Sequence, residues 1–292
     1  MLRSFGFEIH FPENHGALLG ATRTAGDLIP ESAKLGYATD ICSYLTADIG
    51  SYLKKQTPMQ EHYGLEGPPN PSIIVYNTNQ CREVQDWFTY FGKEIGCPTF
   101  GINPPRHIDE VTPEEIADVA AQFKALIPLC EQVSGTKFDI DKFRETLRLS
   151  KEATDLWKDV LWTAKATPAP ISFFDATIHM GPIVVLRGTE TAKNYYTELL
   201  KELTANLKEG IGFLEKEKCR IYWDGMPIWG KLRSLSDLFI QNNAAVVAST
   251  YCNSWVLILS IRKIRLNHQP KLIPKFSSTA VSRQKKKFLP DW

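Results

Sequence analysis

The sequence contains no Gly-x-x-x-x-Gly-Lys-[Ser/Thr] loop and no Gly-x-Gly-x-x-Gly turn, so the two commonest phosphate cradles are missing. The nearest substitute, "GATRTAG" (Gly20 to Gly26), lacks the lysine and a preceding strand. No Gly-x-Ser-x-Gly elbow is present, which argues against serine-hydrolase chemistry. The six histidines form no His-x-His or His-x-x-x-His pair, and the six cysteines form no Cys-x-x-Cys pair. A zinc ribbon or a thioredoxin-type dithiol is therefore a poor reading. Long apolar runs are also missing. The best candidate, Trp255 to Ile261, falls far short of the ~18–20 residues of a membrane span. The opening "MLRSFGFEIHFPENH" puts Glu8, His10 and Glu13 where a secretory leader needs an apolar core, so a cytoplasmic location is expected. Nor is there an overall excess of charge. A formal net charge of +1 argues against nucleic acid or an anionic membrane as a bulk partner.

What is present is a 292-residue chain with 43% hydrophobic and 23% charged residues, enough for a sizeable core and about two domains. Phe7 to Phe11 reads as a short strand ended by Pro12. Thr39 or Asp40 offers an N-cap for a helix with Ile41, Leu45, Ile49 and Leu53 on one side. After the breaker-rich "EGPPNP" (Glu66 to Pro71), Ser72 to Tyr76 reads as a buried strand. Val84, Trp87, Phe88, Phe91 and Ile95 then trace one helical stripe closed by Gly96, and Cys97 to Ile102 reads as the next strand. Strand, helix and strand in about 30 residues is the size of a βαβ unit. Thr112-Pro113-Glu114-Glu115 is a capping box, and long helices are expected over about 141–166 and 190–209, the latter stopped by Gly210. "PAPISFFDATIHMGP" (Pro168 to Pro182) is the candidate linker, with His179 a structural or interface residue. A second strand–helix–strand set follows at 220–223, 230–239 and 244–250. From Val256 to Trp292, nine Lys/Arg stand against one acidic residue, with scattered prolines and no periodicity, so this stretch is expected to complete no sheet.

The expected fold class is thus α/β, with a first domain over 1–167, linker helices and the start of a second α/β domain over 168–255, and an irregular basic tail over 256–292. Dispersed cysteines in such a chain do not make a disulfide framework. Cys130 reads as core, Cys97 likewise, and Cys219 as near the surface. Cys42 and Cys81 differ, because both fall where a helix is expected to begin. Unpaired backbone N–H groups and the helix dipole favour a thiolate at such a place, the form that binds metal or attacks as a nucleophile. Two single cysteines 39 residues apart are weak evidence on spacing alone.

The text around them is more specific. "FPEN" (Phe11–Asn14), "GYATDICSYLTADIG" (Gly36–Gly50), "VYNTNQCREVQDWF" (Val75–Phe88), "FFDATIHMGPIVVLRG" (Phe173–Gly188), "YWDGMPIWGKLR" (Tyr222–Arg233) and "VVASTYCNSW" (Val246–Trp255) resemble the 2-hydroxyacyl-CoA dehydratase / benzoyl-CoA reductase family, nearest to its reductase branch. The resemblance implies two flavodoxin-like domains, each a small parallel sheet flanked by helices, the second incomplete here. It implies a 4Fe–4S cluster held in an interdomain cleft, with Cys42 and Cys81 as two of its three thiolate ligands and close together. It implies a homologous second catalytic subunit, an ATP-hydrolysing iron–sulfur activator and an aryl- or acyl-CoA substrate. The expected reaction is reduction of the benzoyl-CoA ring in anaerobic aromatic degradation. The alternatives are dehydration of a 2-hydroxyacyl-CoA, or a non-catalytic fragment. The family's third ligand lies beyond the match to Trp255 and family members begin before the match to Met1, so the chain is expected to be shortened at both ends. Cys252 is not read as the missing ligand.

Overall fold

The computed structural model of the chain describes residues 1–65, 67–106 and 110–256, and it is α/β. In chain order the helices are α1 (Pro12–Ala21), α2 (Ala25–Ala33), α3 (Ser43–Lys54), α4 (Gln60–Tyr63), α5 (Arg82–Ile95) and α6 (Pro113–Ser134). They continue with α7 (Ile140–Thr163), α8 (Phe173–His179), α9 (Gly181–Val185), α10 (Glu190–Glu209), α11 (Leu232–Gln241) and α12 (Thr250–Asn253). The strands are β1 (Ile74–Asn77), β2 (Thr99–Ile102), β3 (Cys219–Trp223) and β4 (Ala244–Ser249). The residues gather into two compact units, one formed by Glu8–Pro69 with Ile140–Leu257, the other by Leu2–Phe7 with Asn70–Asp139.

In the second of these units β1 and β2 pair in parallel, Ile74 opposite Thr99 through Asn77 opposite Ile102, with α5 as the crossover. Val84, Trp87, Phe88 and Phe91 are buried along the expected stripe of α5. Each apolar side chain of that size contributes ~1.5–3 kcal/mol when removed from water. The α6 capping box forms as read: Glu115 N donates to Thr112 Oγ1 (3.2 Å) and Thr112 N to the Glu115 carboxylate (2.8 Å), with Pro113 at the first position. Phe5 is buried against Phe138, with ring centroids 5.6 Å apart.

The first unit holds an extensive apolar core, in which Trp157 of α7 and Tyr196 of α10 are fully buried with centroids 5.3 Å apart. The Tyr196 hydroxyl donates to His179 O and accepts from Ile183 N, both at 2.8 Å, so the buried phenol loses no hydrogen bond. β3 and β4 pair in parallel with a register shift between Ile221 and Tyr222, and α11 crosses between them. The Arg220 guanidinium donates to Ala164 O, Ala166 O, Thr167 Oγ1 and Glu217, fastening the start of β3 to the end of α7. At the N-terminal side α2 and α3 touch backbone to backbone. A Cβ on Gly50 would lie 2.0 Å from Leu28 O, so glycine is required there.

Three expectations are corrected. Phe7 to Phe11 is not a strand. Phe11 is extended only as the N-cap of α1, and Pro12, whose missing N–H costs nothing at a first helical position, opens a helix rather than ending a strand. The helix expected from Thr39 or Asp40 begins at Ser43, which leaves Ile41 outside it while Leu45 and Ile49 are buried. The 168–182 stretch is core rather than linker. Ser172 and Asp175 form a capping box for α8, and Phe173, Phe174, Ala176 and Thr177 of that helix are buried. The expectation of an irregular tail concerns residues that, from Leu257 onward, lie outside the described ones.

Candidate functional site

Cys81 follows directly from the strand–helix handover. β1 ends at Asn77, whose side-chain oxygen accepts from Asn79 N (2.7 Å) and turns the chain, and Cys81 is the N-cap of α5. The loop is stitched to the one after β2. Thr78 Oγ1 donates to Asn103 Oδ1 (2.6 Å), Arg106 donates to Thr78 O (2.6 Å) and Asn79 Nδ2 to Pro105 O (3.2 Å). Gln122 of α6 then holds both backbone groups of Asn103, at 2.7 and 3.1 Å. An exposed cysteine thus sits at the carboxyl edge of a parallel strand pair, where open α/β sheets place their ligands.

Cys42, in the other unit, follows the loop after α2 rather than a strand. It is the N-cap of α3, half-buried, and its carbonyl accepts from Thr46 N (3.1 Å) and Thr46 Oγ1 (3.2 Å). Tyr44, in the first turn of α3, accepts at its hydroxyl from Trp229 Nε1. Trp229 belongs to the loop after β3, and its ring meets Tyr251 of α12 edge to face at 6.1 Å. Arg23 donates to Gly230 O (3.3 Å) from the α1–α2 turn, so that glycine-rich turn braces this loop. The loops after β3 and β4 are joined as well. Thr250 Oγ1 donates to Asp224 Oδ1 and accepts from Gly225 N, both at 2.9 Å. Burial raises the Tyr44 phenol well above its usual range, with Tyr251, Cys42 and Glu13 adding to the shift and the Trp229 bond opposing it. Burial, Cys252 and Glu13 likewise push Tyr251 up to about 12. Both phenols are therefore neutral hydrogen-bonding groups at neutral pH.

The other cysteines separate from these two. Cys130 and Cys252 are buried and burial pushes both thiols up, as inert core sulfurs require. Cys219 is exposed, as expected, and Cys97 is half-buried. His179 bonds Tyr195 OH through Nδ1 at 2.7 Å, in an exposed position. Cys42 belongs to the first unit and Cys81 to the second. Among the described residues no three His, Cys, Asp or Glu side chains converge as a metal set. Tyr44, Trp229 and Tyr251 carry no sequence signal of their own. No local pattern links residues 185 positions apart, and only the family-like text around them marks those stretches.

A parallel strand pair with a cysteine-capped helix at its carboxyl edge places the chain among α/β proteins. The chain belongs to the family described as 2-hydroxyglutaryl-CoA dehydratase, D-component, whose model matches residues 1–263. It is 32% identical over 266 residues to a subunit of benzoyl-CoA reductase from Thauera aromatica, covering 86% of this chain and 60% of that protein. It is 30% identical over 258 residues to the (R)-2-hydroxyisocaproyl-CoA dehydratase alpha subunit of Clostridioides difficile, covering 87% and 61%. The lactoyl-CoA dehydratase subunit alpha of Anaerotignum propionicum is 28% identical over 264 residues, covering 87% and 63%. The chain spans about 60% of the length of the first of these relatives. No helix among the described residues is long and apolar enough to cross a membrane.

Proposed function

We propose that this chain is a catalytic subunit of benzoyl-CoA reductase type, acting on an aryl-CoA thioester, with Cys42 and Cys81 as thiolate ligands of a 4Fe–4S cluster. The observation that carries the reading is the placement of both cysteines as helix N-caps, Cys81 at the carboxyl edge of the β1–β2 pair and Cys42 at the start of the helix whose Tyr44 bonds Trp229 in the loop after β3. Thiolates are the usual iron–sulfur ligands, and first-turn N–H groups are available to hydrogen-bond sulfur. The two cysteines would supply part of the ligation. When bound, the cluster would supply low-potential electrons. The chain's own residues hold the surroundings: the Asn77–Arg106 stitching fixes the Cys81 loop, and the Trp229–Tyr44 bond ties the first turn of α3 to the loop after β3. The two parallel pairs are the nuclei of flavodoxin-like sheets, and the named relatives support a second homologous subunit and an activating protein as partners.

Anaerobic reconstitution with iron and sulfide tests the cofactor. Iron bound by the wild-type chain and lost from Cys42→Ser or Cys81→Ser supports it, and equal iron in both variants refutes it. Paired with the partner subunit and activator of a relative, the chain should turn over benzoyl-CoA. A second reading, dehydration, is favoured by the 30% identity to a 2-hydroxyacyl-CoA dehydratase subunit and would show as turnover of 2-hydroxyisocaproyl-CoA instead. Absence of iron under all conditions would leave a non-catalytic scaffold.

A further inference from the structure

His15 of α1 is buried, and both of its ring nitrogens are used. Nδ1–H donates to Asp48 Oδ1 of α3 at 2.5 Å, and Nε2 pairs with Thr57 Oγ1 at 2.9 Å. Asp48 is 0% exposed, and His15 and Thr57 are 5% exposed. Hydroxyl, imidazole and carboxylate are wired in the order of a nucleophilic triad. That chemistry is closed here. The Thr57 hydroxyl is covered, and it also accepts from Met59 N at 3.4 Å, so no thioester carbonyl can reach it.

Burying a carboxylate costs several kcal/mol before its partners repay it, so a buried polar network with no reaction to perform calls for a geometric role. His15 joins three segments: α1, the middle of α3 and the turn beyond the end of α3. Its neighbour Gly16 lies against Tyr44, where a Cβ would come within 2.9 Å of Tyr44 Cβ. Asp48 stands one turn from Tyr44 on α3, on the same face. The pair therefore sets how α1 seats against the helix that Cys42 begins.

We propose that His15 and Asp48 are positioning residues for the Cys42 centre: neither touches a ligand, and together they fix the register in which α3 presents Cys42 and Tyr44. This rests on the reading of Cys42 as a ligand, and the test needs no metal.

In the metal-free full chain, the alkylation rate of Cys42 by iodoacetamide is measured by peptide mass spectrometry against Cys81, which lies in the other unit and serves as internal reference. His15→Leu removes both bonds and should raise the Cys42/Cys81 rate ratio roughly tenfold by opening the start of α3. His15→Asn keeps a donor toward Asp48 and should bring the ratio back to within about threefold of wild type. Leu199→Ala, a core truncation in the same unit, should lower the Tm without changing the ratio. A ratio unchanged in His15→Leu, or one that rises equally in Leu199→Ala, overturns the proposal. Should His15→Leu fail to fold, Thr57→Val decides: a ratio raised about threefold supports the lock and an unchanged ratio overturns it. Wild-type protein that takes up no iron would sink the cofactor reading while leaving this ratio intact.

Discussion

Replacing Gly50 by alanine sets two effects against each other. In a helix interior the change normally stabilises by ~0.5–1 kcal/mol, because glycine loses more backbone freedom on folding. At this position the new methyl would meet backbone: Leu28 O at 2.0 Å and Leu28 C at 2.6 Å, where ordinary contact begins at 3.4 Å. α2 would have to retreat by about 1.4 Å, parting Leu28 and Leu19, which are 1% and 0% exposed, from Ala47 of α3. Overpacking of this kind costs ~1–3 kcal/mol, and it is felt by rigid backbone rather than a movable side chain. The clash wins. The net loss is about 1 kcal/mol, a Tm lowered by roughly 2–4 °C for a chain of this size. Gly26 of α2 is the control, since a Cβ there meets nothing within 4 Å, and Gly26→Ala should be neutral or stabilising by ~0.5 kcal/mol. Thermal and urea unfolding followed by circular dichroism read both. Gly50→Ala unfolding at or above the wild-type midpoint would refute the reasoning.

Arg220→Met strands the Glu217 carboxylate, which is 3% exposed, without its counter-ion. It should cost ~3 kcal/mol in urea unfolding, and a loss under ~1 kcal/mol would show that the clamp is dispensable. Tyr251 titrates near 12 in the folded chain against 10.0 ordinarily, so its neutral phenol supports the fold fully below pH 10 and that support is lost as pH rises toward 12. Allowing for its partial exposure, this is worth about 1–2 kcal/mol, and Tyr251→Phe should flatten the alkaline fall in stability by that amount. A pH profile identical to wild type would count against it. Cys81→Ser, at an exposed N-cap, should change the Tm by less than about 2 °C while removing bound iron, because serine caps a helix as well as cysteine does.

The parts of the fold that are readable from the sequence are those with local signals. The β1–α5–β2 unit announces itself through a stripe of five apolar residues and the Gly96 stop, and α6 through its capping box. α1 escapes such a reading because "PENHGALLGA" carries two glycines and no clear apolar face, so its helicity comes from packing on α3 rather than from its own pattern. α2 escapes it because Pro30 lies inside the helix. The prolines at 168 and 170 punctuate the chain without exposing it. Of the candidate site, Cys42 and Cys81 are readable as residues at helix starts, and the family-like text gives them a role. The aromatic surroundings of Cys42 are not readable, since tertiary packing alone brings Trp229 to Tyr44.

The first unit is discontinuous, and that has a consequence during synthesis. Tyr44 and its partner Trp229 are 185 residues apart, an interval of roughly 10–40 s at typical ribosomal rates of ~5–20 residues per second. In that interval 70–139 emerges and can fold as its own unit, while α1, α2 and α3 wait with the face for Trp229 uncovered. The contacts that hold these helices meanwhile are those closed within Glu8–Pro69, among them Gly50 on Leu28, the Leu19–Leu28–Ala47 cluster and His15 between Asp48 and Thr57. The nascent three-helix piece is thus equipped to keep its shape before the ribosome has made the residues that finish the unit.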